Sequence, residues 1–384
     1  MKIDWLNITN IGGIRNLQLS FNPGLNLICG MNGVGKTTVL ECIVNSFSHN
    51  LSGNVKRNSK SEYGEWEISL DGKILKPNVK KFSPLENEHL PYNFVMDCKS
   101  VIYIKEKRAI DYKKISITGD DILNEQSYSY QLIGGLTQDS IKTWFMNRIS
   151  LIHEGHFSEA EIFNLAIAKG IFNLLDEDVK YSHLAHDSLD IMLETSRGNV
   201  YLEYLSSGFK SALFILLGII KQIEFNFKEP NIKVTDFEGI IVIDEVDAHL
   251  HPRWQGVLVQ VIKDTFKSAQ IIATTHSPHM IQEAEADEII ALTLDESCNV
   301  TKLDLQKSEY GFKGWTIEEI LEDIMGMKET RSNKYLETKK HFEEALEKGN
   351  ILQARETYEV LLKMLHHRSP MRKIYELQLG TLGE

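Results

Sequence analysis

The sequence predicts an α/β protein with a mixed, largely parallel central sheet, an N-terminal antiparallel β part and a C-terminal helical hairpin. Three observations carry that expectation. The apolar run Leu25, Leu27, Ile28 and Cys29 leads into Gly30-Met31-Asn32-Gly33-Val34-Gly35-Lys36-Thr37-Thr38 and then into Val39, Leu40, Ile43 and Val44, the pattern of strand, glycine turn and helix. Downstream, Gly239 to Glu245, Gln270 to Thr274 and Glu288 to Leu294 read as buried strands separated by helical stretches, which indicates a parallel sheet covered on both faces. From Thr316 onward the pattern becomes helical and charged.

Taken in order, residues 2 to 8 alternate apolar and polar, Gly12-Gly13 turns the chain, and Leu17, Leu19 and Phe21 alternate again, as in a hairpin. A helix from Thr38 to about Phe47 follows the glycine loop. Residues 61 to 120 read as strand-rich: Trp66, Ile68 and Leu70 alternate before the turn Asp71-Gly72, and Phe94-Val95-Met96 and Val101 to Ile104 are further short strands. Helical spacing returns from about 138 to 180. Leu189 to Leu193 and Val200 to Leu202 flank Arg197-Gly198-Asn199 as strands, and Ala212 to Ile223 is an apolar helix. Thr316-Ile317-Glu318-Glu319 is a capping box, and helices from about Asn333 to Glu347 and from Ile351 to His366 are separated by the stop Lys348-Gly349-Asn350. The expected division is a head over 1–315, with a less regular insertion at about 51–200, and a helical tail over 316–384.

Composition narrows the class. A chain of 384 residues with 42% hydrophobic and 25% charged residues has ample core for a globular protein of one or two domains. No apolar run approaches membrane-spanning length, and the N-terminus lacks the shape of a signal peptide, so a cytoplasmic protein without a membrane partner is expected. Cys29, Cys42, Cys98 and Cys298 show neither C-x-x-C spacing nor a histidine pattern, and read as reduced, mostly buried thiols. The net charge of −12 gives no global attraction to nucleic acid. Residues 56 to 114 are locally basic, from Lys56 and Arg57 to Lys113 and Lys114, and read as a mixed-charge surface or, alternatively, as a DNA track.

The chemistry-bearing motifs are spaced along the whole chain. Gly30 to Thr37 satisfies G-x-x-x-x-G-K-[ST], in which glycines curl the backbone so that N–H groups converge on a phosphate. Asn32, Gly33, Val34, Gly35, Lys36, Thr37 and Thr38 are the expected nucleotide contacts. Lys36 reaches the outer phosphates and the Thr37 hydroxyl joins a Mg²⁺ shell. The strand ending in Asp244-Glu245 delivers two acids to the carboxyl edge of a sheet: Asp244 for Mg²⁺, Glu245 to take a proton from the attacking water. Leu205-Ser206-Ser207-Gly208 opens a helix with a hydroxyl and free N–H groups; alone it is an ordinary N-cap. His276 follows the strand ending at Thr275.

These stretches, together with Asp244 through Gln255, Thr274 through Met280 and the tail from Gly314 to Arg331, resemble the ABC-type ATPases, in the branch of the RecF and OLD-like proteins and the ATP-binding proteins of bacterial defence. Within that branch the sequence is similar to the ATPase of Septu anti-phage systems, which works with an HNH nuclease. The resemblance implies ATP and Mg²⁺ as ligands and two heads meeting head to tail. Gly33 to Thr38 of one subunit would then bind ATP, and Ser206, Ser207 and Gly208 of the other would close on its γ-phosphate. It places His276 near that phosphate and Asp247, Ala248 and His249 at the dimer junction. Family members also carry a glutamine loop, for which Gln126, Gln131 and Gln138 are candidates, and Tyr103 to Arg108 resembles a recurrent Y-x-x-x-x-R element with no attached role.

No heptad-bearing insertion lies between 50 and 200, which excludes an SMC or Rad50 architecture, and no Toprim-type acidic cluster follows residue 300. His366-His367 reads as an exposed helix end. Any cleavage of nucleic acid is therefore expected from a partner, with DNA reached through the complex. Two rivals stay open: a RecF-like repair clamp gripping duplex DNA through residues 56–114, recognisable by salt-dependent binding of this chain alone, and an ATP-sensing scaffold with almost no turnover.

Overall fold

The computed structural model describes residues 1–48, 51, 54–86, 88–90, 94–108, 132, 134, 136, 138–152, 155, 157–186, 188–305 and 309–381. The chain forms two compact units, Met1–Gly326 and Met327–Glu384.

In the first unit, β1 (Ile3–Ile11) and β2 (Ile14–Ser20) form the expected hairpin, with Ile11 opposite Ile14 across the glycine turn. After β3 (Leu25–Gly30) and the helix Lys36–Asn45, the chain returns as β4 (Gly64–Leu70), β5 (Lys73–Leu75) and β6 (Asn78–Val79). These strands and the first hairpin make a five-stranded antiparallel sheet in which β4 pairs with β1. The central sheet adds β7 (Val101–Ile104), β11 (Ile240–Ile243), β12 (Gln270–Thr274), β13 (Ile289–Leu294) and β14 (Val300–Lys302). Its order is β14-β13-β3-β12-β11-β7, parallel except for the antiparallel β13–β14 pair. A third, three-stranded antiparallel sheet consists of β8 (Lys180–Leu184), β9 (Ile191–Thr195) and β10 (Gly198–Tyr201).

Alternation along the central strands explains how one sheet organises two cores. Leu25, Leu27, Cys29, Ile241, Ile243, Ile271 and Ala273 enter one apolar cluster, packed on the helices Glu159–Leu175, Ser207–Asn226 and Pro252–Thr265. Their alternates Ile28, Ile240, Val242 and Ile272 enter the other, filled by the helix Lys36–Asn45 and the antiparallel sheet. Successive side chains of a strand point to opposite faces, so burial on both faces demands the continuous apolar runs seen in the sequence. The helix Ser207–Asn226 is buried over most of its length, which suits its apolar composition. Among the described residues, no helix is long and apolar enough to cross a membrane. Cys29, Cys42 and Cys98 are buried and Cys298 is exposed.

Several expectations are corrected. Phe94–Ser100 is a 3₁₀ helix rather than a strand; the apolar stretch there is three residues long, and Val101–Ile104 occupies the ladder beside β11. The helical region ends at Leu175, and Lys180–Leu184 is a strand that residue pattern did not reveal. The first unit continues past residue 315 to Gly326, because Phe312, Ile320, Ile324 and Met325 belong to its larger core. Thr316 does cap a turn, which runs on as a π-helical stretch, Ile320–Ile324. The second unit contains the helices Asn333–Glu347, Ile351–Met364 and Met371–Gly380 around Phe342, Ala345, Ala354, Leu361 and Tyr375.

Candidate nucleotide-binding and hydrolysis site

The phosphate loop leaves β3 at Gly30, whose φ of 134° is open to glycine and costly for other residues. A Cβ at this position would lie 2.1 Å from the Leu292 carbonyl oxygen of the neighbouring β13, so steric crowding makes the same demand. Gly30→Ala is therefore expected to cost about 3 kcal/mol or more of stability, from overpacking and backbone strain together; urea unfolding checks this, and an unchanged midpoint would refute it. Gly33 and Gly35 also have positive φ, 81° and 92°. Asn32, Gly33 and Thr37 are exposed at the loop surface, whereas Val34 is buried and anchors the loop in the core. Thr38 sits near the β1–β2 turn, its hydroxyl 3.7 Å from where a Gly12 Cβ would be.

The Lys36 side chain is 6% exposed, and its Nζ donates to the carbonyls of Gly30 and Met31, 2.9 Å each. Burial lowers its pKa, and the carboxylates of Asp244, Glu245 and Asp247 pull the other way. The group is thus held inside its own loop, at the point where phosphates would offer it better acceptors. Burial pushes the Cys29 thiol beneath it up to about 12, so this cysteine is inert at neutral pH.

The acidic strand β11 lies two strands from β3, across β12, and β12 supplies the link. Asp244 Oδ1 accepts from Thr274 Oγ1 at 2.6 Å and from Thr37 Oγ1 at 3.2 Å. The Glu245 N–H donates to Thr274 Oγ1 at 2.7 Å, and Glu245 adopts a left-handed φ of 47° just past the end of the buried strand. Asp244 thereby joins Thr37 to Thr274, and Thr274 in turn fixes the Glu245 backbone. Asp247, two residues past Glu245, holds the His276 segment: its Oδ1 accepts from Thr275 Oγ1 at 2.8 Å and from the His276 N–H at 3.0 Å. Burial and the nearby Lys36 hold the His276 pKa below its usual value, so the ring is neutral at pH 7. Ser277 Oγ donates to Gln255 Oε1 at 2.6 Å, fastening this segment to the helix Pro252–Thr265.

The Ser206–Gly208 stretch opens the helix Ser207–Asn226. Ser206 caps its helix, accepting from the Phe209 N–H at 3.3 Å, and both Ser206 and Ser207 are exposed. Gly208 is pressed against the segment after the acidic strand: a Cβ there would lie 2.5 Å from the His249 carbonyl oxygen, and Trp254 and His251 supply its next nearest atoms. Ser211 Oγ donates to the Ala248 carbonyl at 3.1 Å. The Ser-x-Gly helix therefore packs on residues 248–254, with its two serines turned outward.

Thr274 and Thr275, which order the acids, were legible only as a Thr-Thr pair at a strand end. Gln126 and Gln131 lie outside the described residues, and Gln138 begins the helix Gln138–Leu151. Strand β7, beside β11, runs instead into Lys105-Glu106-Lys107-Arg108, and Arg108 is buried under the acidic turn. Other members of the basic region are engaged locally. Lys76 pairs with Glu65 and Glu67, and Arg57 donates to the carbonyls of Lys80, Asn58 and Ser61. Lys113 and Lys114 fall outside the described residues.

A phosphate loop, an acid-tipped strand and a Ser-x-Gly helix on this sheet define an ABC-type P-loop ATPase head. Solved structures agree on the fold. An SMC head, crystallised with the C-winged helix domain of ScpA, aligns with a TM-score of 0.50 and 14% identity over 80% of this chain and 98% of that one. The family described as AAA ATPase domain matches residues 103–281, taking in the acidic strand and His276. A Septu protein PtuA of Bacillus thuringiensis is 42% identical over 392 residues, covering 100% of this chain and 99% of that protein. A second PtuA, from Bacillus mycoides (strain KBAB4), is 27% identical over 81% of this chain and 43% of its own length. The retron Ec83 probable ATPase of Escherichia coli is 30% identical over 43% of this chain and 31% of that protein. This chain belongs to the Septu PtuA family of ATPases.

Proposed function

We propose that the chain is the ATPase subunit of a Septu-type anti-phage assembly acting in the cytoplasm, and that ATP held between two copies governs self-assembly and an HNH-type effector nuclease. The observation that carries this reading is the split of the motifs. Thr37, Asp244 and Glu245 are linked by hydrogen bonds through Asp244 and Thr274, and the His276 N–H bonds to Asp247 on the same acidic segment, while Ser206 and Ser207 are exposed on a helix that packs on residues 248–254. A second copy would bring those serines to the nucleotide.

In this reading the N–H groups of Gly33 to Thr38 and the Lys36 ammonium hold the triphosphate, and Ser206, Ser207 and Gly208 of the second copy close over its γ-phosphate. The Thr37 hydroxyl and Asp244 carboxylate, 3.2 Å apart, are hard oxygen donors of the type that hold Mg²⁺, which when bound neutralises charge on the phosphates. Glu245 accepts a proton from water. The water oxygen bonds to the γ-phosphorus as the bond to the β–γ bridging oxygen breaks, and ADP departs with that oxygen. The neutral His276 imidazole donates one N–H to a γ-phosphate oxygen.

The helical second unit is assigned to the nuclease contact, and DNA is met through the complex. Removal of residues 327–384, which spares the head core through Met325, is expected to retain ATP binding and to abolish co-purification with a co-expressed HNH nuclease from the same operon. An undiminished complex would refute that assignment.

A further inference from the structure

We propose that Arg108 is a positioning residue for hydrolysis: its guanidinium holds the backbone of the Asp244–Val246 turn and so aims the Glu245 carboxylate. The inference rests on the reading of Glu245 as proton acceptor. The turn must be held, because a non-glycine residue at a left-handed φ of 47° stores backbone strain. Its backbone groups divide into two sets. The three N–H groups are satisfied by neighbouring strands: Asp244 donates to the Ile104 carbonyl at 2.8 Å, Glu245 to Thr274 Oγ1 at 2.7 Å, and Val246 to the Thr274 carbonyl at 2.9 Å. All three carbonyls accept from one side chain. Arg108 Nη2 donates to Asp244 and, at 2.7 Å, to Glu245, while Nη1 donates to Val246 at 3.4 Å.

Arg108 is itself fixed. Its side chain is 6% exposed, and Nε donates back to the Lys105 carbonyl at 2.9 Å, so the fork is oriented by the loop that leaves β7. That strand pairs with β11 in register, Ile104 beside Ile243, which puts the loop directly at the acidic turn. Burial lowers the Arg108 pKa to about 10, against the pull of Asp247, Asp244 and Glu245, so the charge is kept at neutral pH. Only a planar group with several divergent donors can serve three successive carbonyls in this way; a lysine retains the charge and loses the fork. Among the described residues Arg108 donates to backbone carbonyls, and its effect on the reaction passes through Glu245.

The test compares Arg108→Met and Arg108→Lys with the parent chain, by single-turnover hydrolysis of radiolabelled ATP and by binding of a fluorescent ATP analogue. Arg108→Met is expected to slow hydrolysis about 100-fold, the size of effect caused by a 1 Å misplacement, with affinity for the analogue changed less than about threefold. Arg108→Lys is expected to recover about tenfold of that loss. If the methionine variant does not fold, the lysine variant carries the test through a tenfold loss of rate at unchanged affinity. In a Glu245→Gln background Arg108→Met should add little, since the group it aims is gone. Parallel loss of affinity and rate, multiplicative losses in the double variant, or a wild-type rate in both Arg108 variants would overturn the inference. A wild-type rate in Glu245→Gln alone would overturn the base assignment itself, and the inference with it.

Discussion

Glu245→Gln is expected to lower single-turnover ATP hydrolysis about 10³-fold and to accumulate an ATP-bound dimer. The substitution removes a proton acceptor while keeping size and shape, and general-base catalysis of this kind contributes about 10²- to 10⁴-fold. The local structure tolerates it. Glu245 is held through its backbone, by Thr274 Oγ1 on the N–H and Arg108 on the carbonyl, and its left-handed conformation does not depend on the carboxylate. Asp244, bonded to Thr37 and Thr274, is untouched, so nucleotide binding should persist. Light scattering after gel filtration with ATP reads the dimer, and quenched-flow measurement reads the rate. Full activity in this variant would remove Glu245 from the chemistry. A chain whose wild type never turns over, yet changes assembly with ATP, would instead be a nucleotide sensor.

Lys36→Ala is expected to weaken ATP binding by about 10- to 150-fold, the equivalent of the roughly 1.5–3 kcal/mol assigned to hydrogen bonds with a charged partner. It should also abolish any assembly driven by the nucleotide. The ammonium is buried and donates to the Gly30 and Met31 carbonyls of its own loop, so its removal disturbs that loop rather than the packing of the sheet. The loss should therefore fall on binding rather than on folding. Titration with a fluorescent ATP analogue, beside thermal unfolding, separates the two; a variant with unchanged affinity would exclude Gly30–Thr38 as the triphosphate cradle. Because the two variants act at different stages, their pattern is diagnostic. Lys36→Ala should fail to form the dimer that Glu245→Gln accumulates.

Much of the fold was legible because it is coded in adjacent residues. The turn at Gly12-Gly13, the strand before Gly30 and the all-apolar runs at Ile240–Ile243 and Gln270–Thr274 each satisfy a local rule of period, turn chemistry or two-faced burial. The elements that escaped are those with weak local signals. Lys180–Leu184 carries Lys180, Ser182 and His183 and becomes a strand through its pairing with β9. Ile320–Met325 read as the start of the tail, because an amphipathic helix does not reveal which core receives its apolar face; in the structure it closes the core of the head.

The site divides in the same way. By itself the sequence determined the phosphate loop, since glycine spacing dictates the backbone that curls around an anion and Lys36-Thr37 follow at fixed reach. It also determined that Asp244-Glu245 ends a buried strand, and that the chain is an α/β ATPase head. Tertiary structure alone decided the rest. Sheet order placed Thr274 beside Asp244, 30 residues away in sequence, so that both Thr37 and Thr274 donate to one carboxylate oxygen. The pairing of β7 with β11 brought Arg108 under the acidic turn across a separation of 136 residues. Packing on His249 turned a common Ser-x-Gly into an outward-facing pair of serines. Backbone conformation follows from neighbouring residues, whereas contacts between distant segments exist only once a sheet has chosen its strand order.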